Sequence, residues 1–434
     1  MKAAPNRDEQ ILQRLLSLQP GKIDLGLDRV SQAIRECCAV IPFRVVLIGG
    51  TNGKGSTGAF LEQIALSSGF RTGLYTSPHL ESIRERFRIG GKWVSPVEFE
   101  EGVDQVFAWM EQTGTKLTFF EAMTVVAVIV FAKADVQIGI FEVGLGGRLD
   151  ATNALEPDVS VLTNVGLDHM EWLGDDLHQI AWEKGGITRP HIPLVTGLDA
   201  RLLDSALRDR EQPSVIRRFG SEFSVFSEPL DGRVFKHGSS HFFLPSIGLE
   251  GEHQWSNAAL AVETALMMGF EPSQEQLLSA LNQVHHPGRI ERFGHEPEFL
   301  LDGAHNGPGA EGLARFLEQN QVLGKTVFIV AVKAPRDPET LISHWRHLAD
   351  SWIIHEVEGV PMVECEVIEA SLKSENILRA DGGNMVSTLT LAAKEAGEQG
   401  RVVIAGSLYL VGAARKSVIE LTERPQSQSP LVAR

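Results

Sequence analysis

Between Arg44 and Ser67 the sequence passes from an apolar run, Arg44-Val45-Val46-Leu47-Ile48, through Gly49-Gly50-Thr51-Asn52-Gly53-Lys54-Gly55-Ser56-Thr57 into a helical pattern. Strand, glycines, lysine, hydroxyl and helix in that order leave little choice of fold. Backbone N–H groups freed by glycine, the positive helix end and the Lys54 ammonium converge where a polyphosphate lies, with Ser56 or Thr57 placed to approach Mg2+. The stretch departs from the common GxxxxGK[ST] form, since Ile48 takes the first glycine position and Gly55 follows the lysine. It predicts a nucleotide-binding set of Gly50, Thr51, Asn52, Gly53, Lys54, Gly55, Ser56 and Thr57, with Lys54 also serving the chemistry.

Around this loop, apolar β-branched runs alternate with helical patterns, the mark of βαβ units around a parallel sheet. Strands are expected at Arg44 to Ile48, Val136 to Val143, Val159 to Thr163 and Pro193 to Thr196. A second series starts after His286-Pro287-Gly288-Arg289, near Phe299 to Leu301, Thr326 to Val332, Trp352 to His355 and Arg401 to Ala405. Short strands are expected in about Ser214 to Phe243, with their topology open. At 434 residues the chain exceeds what one core usually serves. The expected division is 1–290 and 291–423, followed by a polar, Pro-broken flexible tail at 424–434.

A net charge of -16 disfavours a chain whose task is to neutralise nucleic-acid phosphates. Three cysteines, Cys37, Cys38 and Cys365, form neither a CxxC pair nor a metal-ligand spacing, which argues for a reducing compartment. The N-terminus lacks a signal-peptide apolar core, so a cytoplasmic protein is expected. Ala122 to Ala132, the most apolar stretch, is about half of the roughly 20 residues a membrane helix needs and reads as a buried helix.

Further signals follow strands. In Phe141-Glu142-Val143-Gly144-Leu145-Gly146-Gly147-Arg148-Leu149-Asp150, Glu142 should emerge at the C-terminal sheet edge, where open α/β sheets bind ligands. A carboxylate there can hold Mg2+, and Arg148 and Asp150 can fix a polar substrate. In Thr163-Asn164-Val165-Gly166-Leu167-Asp168-His169, His169 reaches the same edge as a second metal ligand. Lys184 precedes the glycine-broken helix end Gly185-Gly186.

Together these segments resemble the folylpolyglutamate synthase and dihydrofolate synthase family of Mur-type ligases. The resemblance spans nearly the whole chain and takes in Tyr75-Thr76-Ser77-Pro78-His79-Leu80, Glu85-Arg86, Leu117-Thr118-Phe119-Phe120-Glu121, His253-Gln254-Trp255-Ser256-Asn257, Pro287-Gly288-Arg289, Asp302-Gly303-Ala304-His305-Asn306 and Gly406-Ser407. It implies an α/β fold, with a P-loop parallel-sheet N-terminal ATPase domain followed by a smaller Rossmann-like C-terminal domain of Mur ligase type. It also implies that ATP activates a folate carboxylate as an acyl phosphate, which the amine of L-glutamate attacks.

By the resemblance, Ser77 and Glu142 bind a first Mg2+, and Glu142 and His169 a second beside Lys184, which is carbamylated in the family. Asn257 and Arg289 contact the nucleotide. Asp302 and His305 come from the smaller domain, with His305 a candidate base for the amine. Arg84, Arg86, Thr118, Phe119, Phe120, Arg148, Asp150 and Ser407 are implied substrate contacts. The family's Gly and Asp-Lys-Asp run is altered to Ala331-Val332-Lys333-Ala334-Pro335-Arg336-Asp337, and its alanine after Lys184 is Gly185.

Both dihydropteroate and tetrahydrofolate are expected acceptors. The alternatives are polyglutamate extension alone, a Mur ligase acting on a cell-wall nucleotide, or a P-loop nucleotide switch without a folate pocket. No nucleic-acid or membrane partner is expected, and the default oligomeric state is monomer.

Overall fold

In the computed structural model, residues 7–18, 26–228, 232–373, 376–380 and 384–423 are described. The expected tail at 424–434 lies outside them. The chain forms two compact units, one of residues 1–248 and 254–285, the other of residues 249–253 and 286–434.

Among the described residues of the first unit, eight strands form one sheet: β1 (Arg44–Gly49), β2 (Thr72–Tyr75), β3 (Phe87–Ile89), β4 (Lys92–Trp93), β5 (Ile138–Glu142), β6 (Val159–Leu162), β7 (Leu194–Thr196) and β8 (Ile216–Arg218). Their order is β4-β3-β2-β5-β1-β6-β7-β8, parallel from β2 to β8, with β3 and β4 antiparallel at one edge. The central strands are buried on both faces, which explains their unbroken apolar runs. The stretch read as a buried helix lies in Phe119–Lys133, capped by Thr118, and every residue from Glu121 to Phe131 is buried. A three-stranded antiparallel sheet, β9 (Phe223–Glu228), β10 (Gly232–His237) and β11 (Ser240–Leu244), accounts for most of the Phe- and Ser-rich segment.

The second unit carries β12 (Glu291–Phe293), β13 (Glu298–Leu301), β14 (Thr326–Val330), β15 (Ser351–Ile354), β16 (Ile377–Leu378) and β17 (Arg401–Ala405), in the order β12-β13-β17-β14-β15-β16. All pairs are parallel except β12 with β13. Phe328 packs against Trp345 and Trp352 at ring separations of 5.7 and 5.0 Å. The Trp345 indole N–H is satisfied by the Ala310 carbonyl at 2.9 Å, as a buried indole requires. Both units are α/β with a mainly parallel sheet, the fold class the sequence predicts. No helix among the described residues is long and apolar enough to cross a membrane.

Candidate active site

The glycine-rich loop joins β1 to the helix Lys54–Ser67. Gly53 caps that helix at φ 80°, a left-handed conformation that costs an L side chain strain. A Cβ there would overlap the Asn257 amide oxygen and lie 3.0 Å from its Cγ, so Asn257 sits directly against the loop. Lys54 Nζ donates to the Gly50 and Thr51 carbonyls, each at 3.1 Å. The end of β6 pins the loop from the other side. Asn164 accepts from Thr51 N through its carbonyl and from Asn52 N through Oδ1, both at 2.9 Å, and Thr163 Oγ1 donates to the Asn52 carbonyl at 2.6 Å. Ser56 and Thr57 are buried in the first helical turn.

A second lysine meets the same loop. Lys184, 4% exposed near the end of the helix Leu177–Gly185, donates from Nζ to the Gly50 carbonyl at 2.9 Å. Burial first, and the Lys54 charge next, lower its pKa to about 7. An ordinary lysine is a cation at neutral pH; this one is poised between ammonium and free amine.

At the neighbouring strand end, Glu142 is buried and its Oε2 accepts from Ser77 N at 3.1 Å. His169 stands at φ 53°, with its nitrogens 3.9 Å from carboxylate oxygens of Asp168 and Glu171. Its side chain is 42% exposed, unlike that of Glu142. Among the described residues no group of three His, Cys, Asp or Glu side chains forms a metal cage. The pairing of a hydroxyl residue with a buried carboxylate still suits Mg2+, which is held by one or two carboxylates together with substrate phosphates and water.

The expected substrate contacts fall into two sets. Arg86, buried, donates from Nε to His79 Nδ1 at 2.9 Å and lies 5.6 Å over the Phe119 ring. Burial, and then Arg86, lower the His79 pKa to about 4, so its ring is neutral near pH 7. The Phe120 ring packs against Gly144. The others are engaged locally. Asp150 accepts from Gly144 N, Leu145 N, Thr152 N and Thr152 Oγ1. Arg148 pairs with Glu183 at 2.9 Å and lies 5.1 Å over Trp182. Thr118 caps its helix in a capping box with Glu121, and Arg84 pairs with Asp8 at 2.7 Å.

In the second unit, Asp302 accepts from Ile290 N at 2.9 Å and Ala304 N at 2.8 Å. Arg289 lies close against Gly303 and donates to the Gly288 carbonyl at 3.1 Å. His305 Nδ1 faces the Gly303 carbonyl at 2.8 Å, Asn306 caps the helix Gly307–Gln319, and the buried Ser407 accepts from Tyr409 N at 3.2 Å. In the altered segment, Lys333 lies 5.1 Å over the Tyr409 ring and Asp337 accepts from Glu339 N at 3.0 Å. A cavity of about 290 Å³ sits where β13 and β17 begin. Its Arg292 and Arg401 both pair with Glu298, so its charges largely satisfy one another.

Sequence reasoning assigned no role to Asn164, Trp182 or Arg210, although these hold the loop and the Lys184 helix. The only available signal for Asn164 is its place two residues after a buried strand.

A phosphate-type loop on a parallel sheet, followed by a smaller α/β unit, is compatible with a Mur-type ligase, and the Mur ligase middle domain model matches residues 48–265. The model "Dihydrofolate synthetase, C-terminal domain" matches residues 290–416. The Escherichia coli (strain K12) dihydrofolate synthase/folylpolyglutamate synthase is 32% identical over 80% of this chain and 81% of that relative. The Bacillus subtilis (strain 168) protein of the same description is 30% identical over 86% of this chain and 90% of its own length. The solved E. coli FolC complex with DHPP and ADP superposes with a TM-score of 0.87 at 27% identity, covering 96% of this chain and 99% of that one. The Yersinia pestis enzyme complexed with AMPPNP and Mn ion gives 0.84 at 29%, with 96% and 99% covered. The chain belongs to the dihydrofolate synthase/folylpolyglutamate synthase family.

Proposed function

We propose that this chain is an ATP-dependent carboxylate–amine ligase that joins L-glutamate to dihydropteroate and to tetrahydrofolate through an acyl phosphate. One observation carries the reading: two lysine side chains, Lys54 and Lys184, meet on the Gly50 carbonyl inside a preformed phosphate loop. A carboxylate at neutral pH resists attack by an amine, so its oxygen must first become a leaving group. Phosphoryl transfer needs positioning and charge neutralisation more than covalent help. The loop amides and Lys54 supply both for the β and γ phosphates, with Asn257 beside them.

Ser77 and Glu142 would hold Mg2+, with His169 for a second ion, and bound metal would neutralise charge on the phosphate oxygens. Lys184 as a free amine can take up CO2 with loss of a proton, giving a carboxylate where an ammonium would be repelled by Lys54 and the metal. Arg86, His79, Phe119 and Phe120 offer a flat apolar and cationic surface for the pterin side. In the second unit, Arg289 and Asp302 are assigned to the nucleotide, Ser407 to substrate, and His305 to the glutamate amine. A monomer acting in the cytoplasm completes the reading, and its three cysteines are free thiols.

The test is phosphate release from ATP and Mg2+ with glutamate, comparing dihydropteroate, tetrahydrofolate and no pterin, with product masses read afterwards. Turnover that adds glutamate to both acceptors is expected. Turnover with one acceptor would leave a single ligase activity, and hydrolysis indifferent to either would replace the ligase with a nucleotide switch.

A further inference from the structure

Three backbones crowd the end of the helix that carries Lys184. Arg148 N donates to the Glu183 carbonyl at 3.0 Å, and a Cβ at position 147 would lie 2.7 Å from the Lys184 carbonyl oxygen. A Cβ at position 185 would overlap the Ala206 carbonyl oxygen and lie 2.6 Å from its carbon. Glycine at 185, where the resembling family has alanine, is what lets the helix Ala200–Leu207 come so near. Arg210 then spans the two helices. Its Nη1 donates to the Ala206 carbonyl at 3.0 Å and its Nη2 to the Trp182 carbonyl at 2.8 Å, and its guanidinium lies 4.8 Å over the Trp182 ring.

We propose that Arg210 is a positioning residue, which with Gly185 and Trp182 clamps the helix Ala200–Leu207 onto the helix Leu177–Gly185 and so sets where Lys184 meets the phosphate loop. Both bridged carbonyls belong to the last turns of their helices, where carbonyls lack intrahelical partners. A cation there is also favoured by both helix dipoles. The planar arginine fork satisfies two carbonyls at once; a lysine ammonium acts as a point charge and restores only part of this. Arg148, over the same indole and paired with Glu183, steadies the end from the opposite strand connection. A shift of about 1 Å in a reacting group costs up to about 100-fold in rate, so a residue without substrate contact can still govern turnover.

This inference rests on Lys184 being a catalytic group. The experiment therefore compares Arg210→Ala, Arg210→Lys and Lys184→Ala in the full chain, with ATP, glutamate and dihydropteroate. Arg210→Ala should lower kcat by about 10- to 100-fold while leaving KM for ATP within about twofold, and Arg210→Lys should recover part of the loss. Acylation of Lys184 by acetic anhydride, read by peptide mass spectrometry, should be severalfold faster in Arg210→Ala, with Lys133 labelling unchanged. Faster labelling at both lysines would mark general loosening and overturn the proposal. So would wild-type kcat in Arg210→Ala with Lys184→Ala inactive, whereas an active Lys184→Ala protein would sink the assignment of Lys184 itself. If Arg210→Ala does not fold, Trp182→Leu removes the ring beneath the guanidinium while keeping the backbone carbonyl, and should lower kcat by about 3- to 10-fold; wild-type kcat there, with Lys184→Ala inactive, would overturn the clamp.

Discussion

Gly53→Ala and Gly69→Ala form a matched pair at the two ends of one helix. Both glycines have positive φ, 80° and 86°, so each alanine incurs about 1 kcal/mol or more of left-handed strain. Around Gly69 a Cβ meets nothing within 4 Å, whereas at Gly53 it overlaps the Asn257 side chain. Asn257 is 5% exposed and its Nδ2 donates to Gln254 Oε1 at 2.9 Å, with Gln254 itself 1% exposed. Displacing Asn257 strands a buried acceptor, at a further cost of about 1–3 kcal/mol. Gly69→Ala should thus lose about 1 kcal/mol, and Gly53→Ala about 2–4 kcal/mol with a raised KM for ATP, since the loop amides turn with residue 53. Urea unfolding and initial-rate kinetics read both quantities. Equal losses from the two variants, or an unchanged KM in Gly53→Ala, would refute the reasoning.

Three other outcomes follow from the same geometry. Because the Lys184 pKa is lowered to about 7, its amine is neutral above that pH, so a carbamate carbon signal from 13C-bicarbonate should grow as pH rises through about 7 and be absent from Lys184→Ala. Arg88→Met leaves the fully buried Glu62 without its ion-pair partner and should cost about 3–5 kcal/mol at neutral pH. Burial raises the Glu62 pKa above its unfolded value, so that stability is present at low pH and lost as pH climbs through the folded pKa. Thermal unfolding should therefore show the variant more stable at pH 5 than at pH 8. Gly185→Ala, meeting the Ala206 backbone, should lower the midpoint of thermal unfolding by several degrees; an unchanged midpoint would show that the two helices can part without cost.

The architecture was legible because doubly buried parallel strands are written as unbroken apolar runs, and glycines with a lysine mark where the first of them ends. The antiparallel edges were not: β3, β4 and β12 are two or three residues long and partly exposed, too short for any period to show. Among the residues expected to contact substrate, Asp150 and helix-opening Thr118 read equally well as ligand contacts and as ties for their own backbones, and only the hydrogen bonds show the second role. The constraint on Gly185 was hidden for a different reason, since it comes from Ala206 on another helix. Spacing along the chain carries no trace of such a contact.

The pinning of the nucleotide loop by Thr163 and Asn164 bears on the kinetics of capture. Because Thr51 and Asn52 are tied to the end of β6 by hydrogen bonds within the protein itself, the entropy of ordering them is lost when the protein folds rather than when nucleotide binds. Association then has no loop-ordering step in its path, and its rate is governed by encounter and charge. Differences in nucleotide affinity among variants of Asn164 should accordingly appear in both directions of exchange, slower capture as well as faster escape, while variants of Lys54, which remove a charge, should slow capture most at low salt and speed escape as well.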